Sequence, residues 1–175
     1  MTKRNVMISI HSSRMEICGH LFEQDDEEAL DFESFHAPMT EMPEPTEVLV
    51  EGRLVTNRSR VELVYEESEL SGMGGSVTSI GFERSTPGLV SMMRTGTVYT
   101  ASVFEEGKRH ISVYDTPFSS FQICVRTLRV ENQLLTEGRI YLDYLIEIHG
   151  AQAEHCRMTI TAKNTENLFV DAAII

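Results

Sequence analysis

Phe121-Gln122-Ile123-Cys124-Val125-Arg126, Ile140-Tyr141-Leu142-Asp143-Tyr144 and Cys156-Arg157-Met158-Thr159-Ile160 alternate apolar and polar residues with a period of two. In an extended chain, successive side chains point to opposite faces, so each stretch has a core face and a water face. Outward from these three, the same alternation recurs in residues 6–10, 46–55, 60–70, 77–83, 89–94, 98–104 and 109–114. The late stretches extend to 118–130, 139–148 and 154–162. Turn residues separate them: Asn57-Arg58-Ser59, Gly72-Met73-Gly74-Gly75, Thr86-Pro87-Gly88, Thr95-Gly96, Glu105-Glu106-Gly107-Lys108 and Asp115-Thr116-Pro117. About ten strands with almost no helix exclude a parallel sheet wrapped in helices. Tight hairpins and long late strands favour an antiparallel up-and-down barrel of about eight to ten strands over a sandwich. Closure is what hides the edges of such a meander.

The 175 residues suit one domain, assigned to residues 1–165 with a C-terminal tail at 166–175. Hydrophobic content of 41% and charged content of 24% are ordinary for a soluble globular chain. The three cysteines, Cys18, Cys124 and Cys156, form no CxxC pair, and their odd number describes no disulfide framework. They read as reduced, mostly buried thiols. The apolar stretch behind Lys3-Arg4 is too short for a signal peptide, and no run approaches the ~20 apolar residues of a membrane helix. The expectation is a soluble, cytoplasmic protein of bacterial type that does not engage membrane.

The formal net charge of −12 is concentrated. Between Arg14 and Arg53 there are twelve acids and no lysine or arginine, while the rest of the chain has fifteen of each sign. No general basic face exists to neutralise phosphates, which argues against a nucleic-acid partner. Pro38, Pro43, Pro45 and the run Asp25-Asp26-Glu27-Glu28 deny residues 22–46 a stable strand. This acidic insertion, with a short helix expected at 29–35, reads either as a solvated loop or as a docking surface for a basic partner.

Several short stretches carry a family resemblance. In order they are Tyr65-Glu66-Glu67 with Leu70-Ser71-Gly72, Met93-Arg94-Thr95-Gly96, Phe104 with Gly107, Tyr114 to Phe118, Gly138-Arg139-Ile140 with Tyr144, and Met158-Thr159-Ile160-Thr161. From about 48 to 163 the chain resembles the YwiB-like family of small uncharacterised bacterial proteins. It departs from that pattern at Ser119, where the family has glycine, and in its longer acidic insertion. The resemblance implies a calycin-like (lipocalin-like) β-barrel and brings no established activity or catalytic residues. Calycin relatives hold small apolar ligands, an analogy at the level of fold.

Tyr65, Glu67 and Glu69 share one strand face, and Val90, Met92 and Arg94 share another. Glu67 or Glu69 turned into the barrel would be a buried carboxylate needing a partner, and Arg94 is the candidate. Such a pair can bind carboxylate or phosphate. With the faces reversed, the glutamates lie at the rim and Arg94 closes a hairpin. Arg126 lies opposite Phe121, Ile123 and Val125, so it is a ligand anchor or a solvated arginine according to which face lines the lumen. No HExxH, no reactive-cysteine context, no GxSxG and no strand–glycine-loop–helix is present, so no metal, cofactor or nucleophile is expected.

The reading is a non-enzymatic barrel binding a small amphipathic or anionic ligand, with Tyr65, Glu67, Arg94, Arg126 and Tyr144 as contact residues. One alternative is an interaction scaffold with a side-chain-filled barrel and an acidic docking segment. A third is an enzyme using a carboxylate–histidine pair, Glu67 with His110. The apolar end, residues 172–175, is the candidate contact for a homodimer.

Overall fold

The computed structural model describes residues 1–17, 44–69, 73–148 and 152–165. Ten strands follow one another: β1 (Thr2–Ile17), β2 (Thr46–Thr56), β3 (Arg60–Glu66), β4 (Val77–Glu83), β5 (Leu89–Thr95), β6 (Tyr99–Glu105), β7 (Arg109–Asp115), β8 (Ser120–Gln133), β9 (Arg139–Ile148) and β10 (Gln152–Asn164). Each pairs antiparallel with its sequence neighbours, and β1 also pairs with β10, so the sheet closes into a barrel. No helix among the described residues is long and apolar enough to cross a membrane. The acidic insertion, the helix expected at 29–35, Cys18 and the tail lie outside the described residues, apart from residues 44–46.

The strands stand where the alternation puts them, with two differences. β1 is far longer than residues 6–10, because β2 and β10 flank it on both sides and satisfy its backbone through polar stretches such as Ser12-Ser13. β3 ends at Glu66 rather than at residue 70; there the Glu67 amide turns to donate to the Ser76 carbonyl at 2.8 Å.

Along the strands one alternating set, mostly apolar, faces inward; β7 is the exception, with Ile111 and Val113 exposed and His110, Ser112 and Tyr114 on its inner side. Ile8, Val61, Leu63, Ile80, Val90, Ile140, Leu142 and Ile160 are 0% exposed. A void wide enough for water would give these side chains accessible surface, so none lies against them. The middle of the barrel is therefore filled. Phe104 packs edge-to-face on Tyr144 with ring centroids 4.9 Å apart.

The barrel has two unlike ends. The turn end carries the tight β2–β3, β4–β5, β6–β7 and β8–β9 connections. Leu134, from the last of these, folds inward and is buried. Gly138 beside it adopts φ +68°, and an added Cβ would press on the Ala162 carbonyl. The loop end carries the β1–β2, β3–β4, β5–β6, β7–β8 and β9–β10 connections. There Gly96 adopts φ +124°, and an added Cβ would press on the Gly75 carbonyl and Ser76, so the β5–β6 turn sits close against the β3–β4 connection.

Candidate functional site

The inward-facing rows are apolar in mid-barrel and become charged where they run out. At the loop end, Val61, Leu63 and Tyr65 lead by steps of two to Glu67, and Val90 and Met92 lead to Arg94. Register links Tyr65 to Thr78, Thr78 to Arg94, Arg94 to Thr100 and Thr100 to Tyr114, forming one lateral row across β3 to β7. Arg94 Nε and Nη2 donate to Glu67 Oε1 at 3.1 and 2.9 Å, and Nε also meets Thr78 Oγ1 at 3.0 Å. Thr78 Oγ1 donates to the same carboxylate oxygen at 2.6 Å. The Arg94 and Glu67 side chains are only 11% and 5% exposed. Burial, reinforced by the Glu67 carboxylate, pushes the Tyr65 phenol well above its ordinary range.

Tyr144 is buried beyond this row and feels the fields of both Arg94 and Arg14; burial dominates and holds its phenol protonated. The neighbouring Cys156 thiol is pushed up to about 12, chiefly by burial. It is an inert core group rather than a nucleophile. Thr100 is buried, and its Oγ1 has no hydrogen-bond partner among the described residues.

One concave space is at the opposite end. A cavity of about 330 Å³ opens at the turn end, over the buried Val6 and Leu134 and the half-buried Leu54 and Ala162. Thr56, Asn164, Leu135 and two exposed arginines, Arg4 and Arg84, complete it. Arg4 is the next inward position before Val6, and Arg84 the next after Phe82. Neither makes an ion pair with a described residue. Arg84 Nε donates to the Asn57 carbonyl at 3.2 Å. A wider depression of about 620 Å³ lies over β1 to β4, reaching the inward-facing Val6 and Tyr65, and there Glu51, Arg53 and Glu66 mix both signs of charge.

A second polar cluster stands on the outer wall. His155 Nε2 donates to Asp143 Oδ1 at 2.6 Å, Tyr141 donates to Asp143 Oδ2 at 3.3 Å, and Arg157 Nε lies 3.4 Å from the same oxygen. Burial would raise the Asp143 carboxyl, but the hydrogen bond and charge of His155, with Arg157, hold it below the ordinary range. Its stabilising contribution is therefore complete above the unfolded value of about 3.9 and is lost as pH falls through the lower folded value. Urea unfolding between pH 5 and pH 2 should show Asp143→Asn losing less stability on acidification than the wild type. Parallel losses would disprove the role.

Tyr65, Glu67 and Arg94 thus come together, and Tyr144 stands within reach of their charge. Arg126 does not join them: Ile123, Val125 and Thr127 fill the inner side of β8, which leaves Arg126 on the outer wall opposite Arg109. Glu67 and His110 are not brought together either. His110 lies 3.6 Å from Glu105, toward the turn end. The Asp143–His155 pair escaped the sequence reading, although the antiparallel register of β9 against β10 sets Asp143 against Arg157 and Leu145 against His155. The signal for Arg4 and Arg84 was their place on the inward rows of β1 and β4. Among the described residues, no group of three His, Cys, Asp or Glu side chains stands close enough to hold a metal.

A sequence profile described as "Domain of unknown function (DUF1934)" matches residues 32–160. No curated protein matches the chain. Among solved structures, the chain is similar to the crystal structure of ywiB protein from Bacillus subtilis. The TM-score is 0.61 at 20% identity, over 93% of this chain and 92% of that one. At that identity the likeness speaks for the fold.

Proposed function

Because the chain belongs to the DUF1934 family, which is described only as a domain of unknown function, we propose its function from geometry: a non-enzymatic barrel that holds a small amphipathic or anionic ligand. The observation that carries this is the turn-end cavity, about 330 Å³ over an apolar floor. Small-molecule sites are concave and occupy roughly 300–1,000 Å³; here the apolar floor lies under a polar lining of Arg4, Thr56, Arg84 and Asn164. The filled mid-barrel moves the ligand from the lumen, where a lipocalin-like reading would place it, to the end.

The test is binding of a neutral amphipathic fluorophore, N-phenyl-1-naphthylamine, to wild type and to Ala162→Phe, which fills the cavity from its half-buried floor. Saturable binding that falls at least tenfold in the variant supports the reading. No saturable binding, or equal binding by both proteins, removes it.

A second reading puts the contact at the loop end, on Tyr65, Glu67, Arg94 and Tyr144. The unpartnered, buried Thr100 hydroxyl beside Arg94 favours it. A hydroxyl left without a partner in a low-dielectric interior is unfavourable and donates to an acceptor delivered to it. Native mass spectrometry of protein purified from its host separates the two. A retained ligand lost in Thr100→Val but kept in Ala162→Phe assigns the loop end, and the reverse assigns the cavity.

A further inference from the structure

We infer that Arg4 and Arg84 make the turn-end cavity a site for a monoanionic, single-chain amphiphile. Its charged head lies between the two guanidinium groups and its chain on Val6, Leu54 and Ala162. This rests on reading the cavity as a ligand site and adds the ligand's charge and shape.

Three observations carry it. First, the cavity holds two cations and no carboxylate, in a chain with twelve more acids than bases. Five arginines elsewhere pair with an acid, Arg60, Arg94, Arg129, Arg139 and Arg157. Arg14, Arg53, Arg58 and Arg126 have no ion pair among the described residues either, so what sets Arg4 and Arg84 apart is that they share one cavity. Second, Arg84 is already positioned: its Nε is held by the Asn57 carbonyl at 3.2 Å, while its two terminal amino groups have no partner among the described residues. A guanidinium fixed in this way offers a planar fork that matches a carboxylate, sulfate or phosphate-ester oxygen pair. Third, the cavity is shallow. One step inward from Val6 and Ala162 stand Ile8 and Ile160, and opposite Leu54 stands Leu63, none of them with exposed surface. The chain of the ligand therefore meets a sealed floor and cannot thread the barrel.

That floor sets a length limit. Each methylene placed on apolar surface should tighten binding roughly fourfold until the cavity is full, after which further carbons project into water and add little.

The test is calorimetric titration of the wild-type protein with hexanoate, octanoate, decanoate and dodecanoate, with octanol and octyl sulfate as comparison probes. The expected result is one saturable site whose affinity climbs with chain length and then levels, with octanol at least tenfold weaker than octanoate. Octyl sulfate equal to octanoate assigns recognition to charge. Octyl sulfate much weaker assigns it to the carboxylate, and either outcome is a form of the same proposal. Arg4→Ala/Arg84→Ala, both at exposed positions, should abolish the octanoate-over-octanol preference while leaving octanol binding intact. Leu135→Glu, at the exposed mouth, should weaken octanoate alone. Octanol binding as tightly as octanoate, or the double variant keeping the preference, overturns the inference and leaves the cavity reading standing. No binding of any chain overturns both.

Discussion

Glu67→Ala is expected to lower folding stability by about 3–5 kcal/mol, the range seen when one member of a buried ion pair is removed. The reason is the loneliness it imposes on Arg94. Arg94 Nε and Nη2 both donate to Glu67 Oε1, and the guanidinium side chain is only 11% exposed. Without the carboxylate, a full positive charge remains in the barrel with Thr78 Oγ1 as its only described acceptor. Thr78 loses its acceptor as well. The pair itself need not add much net stability, because taking both charges from water offsets most of their attraction. Glu67→Leu combined with Arg94→Met should therefore recover most of the loss. Urea unfolding of the two proteins decides the matter: a loss below about 1 kcal/mol for Glu67→Ala, on the scale of a surface pair, would show that Arg94 escapes to solvent.

Phe104→Ala should be comparably severe, about 3–5 kcal/mol. Phe104 is among the largest fully buried side chains, and its ring meets the edge of Tyr144 at 4.9 Å. Deleting it leaves a hole beside Tyr144 among core side chains, and β6 cannot move in to close it without disturbing its ladder to β5. Set against a typical total of roughly 5–15 kcal/mol, this brings the variant close to unfolding at room temperature. Differential scanning calorimetry and urea melts should agree. Phe104→Leu, which keeps most of the volume, should lose clearly less. Equal losses for the two would mean that ring geometry, rather than volume, governs the site.

The alternation of residues 121–126, 140–144 and 156–160, with its recurrence along the chain and the turns between, was enough to read an antiparallel barrel of about eight to ten strands, because one buried face per strand leaves a period of two in the chain. The Arg94–Glu67 pair was legible only in part: each charge continues an apolar row, but the chain alone offered Glu67 or Glu69 as the partner and allowed both glutamates at the rim, and the fold selects Glu67. Two features needed more than a strand at a time. Asp143 and His155 meet only once the register of β9 against β10 is fixed, and a shift of one residue would have parted them. The cavity depends on Leu134 folding back across the end of the barrel, a tertiary event that a turn sequence does not announce. Arg126 was left open between faces, and the burial of Ile123, Val125 and Thr127 resolves it outward.

The pairing of β1 with β10 also governs when this barrel can exist at all. During synthesis the chain emerges from Thr2 onward, yet one whole edge of β1 has no partner until residues 153–164 arrive. Until then every folded intermediate is an open sheet with two free edges and an uncovered apolar face. Contacts that span almost the entire sequence are the slowest to form. The nascent chain should consequently depend on rapid completion or on protection of β1, and a ribosome stalled before β10 should hold a sticky, protease-sensitive meander.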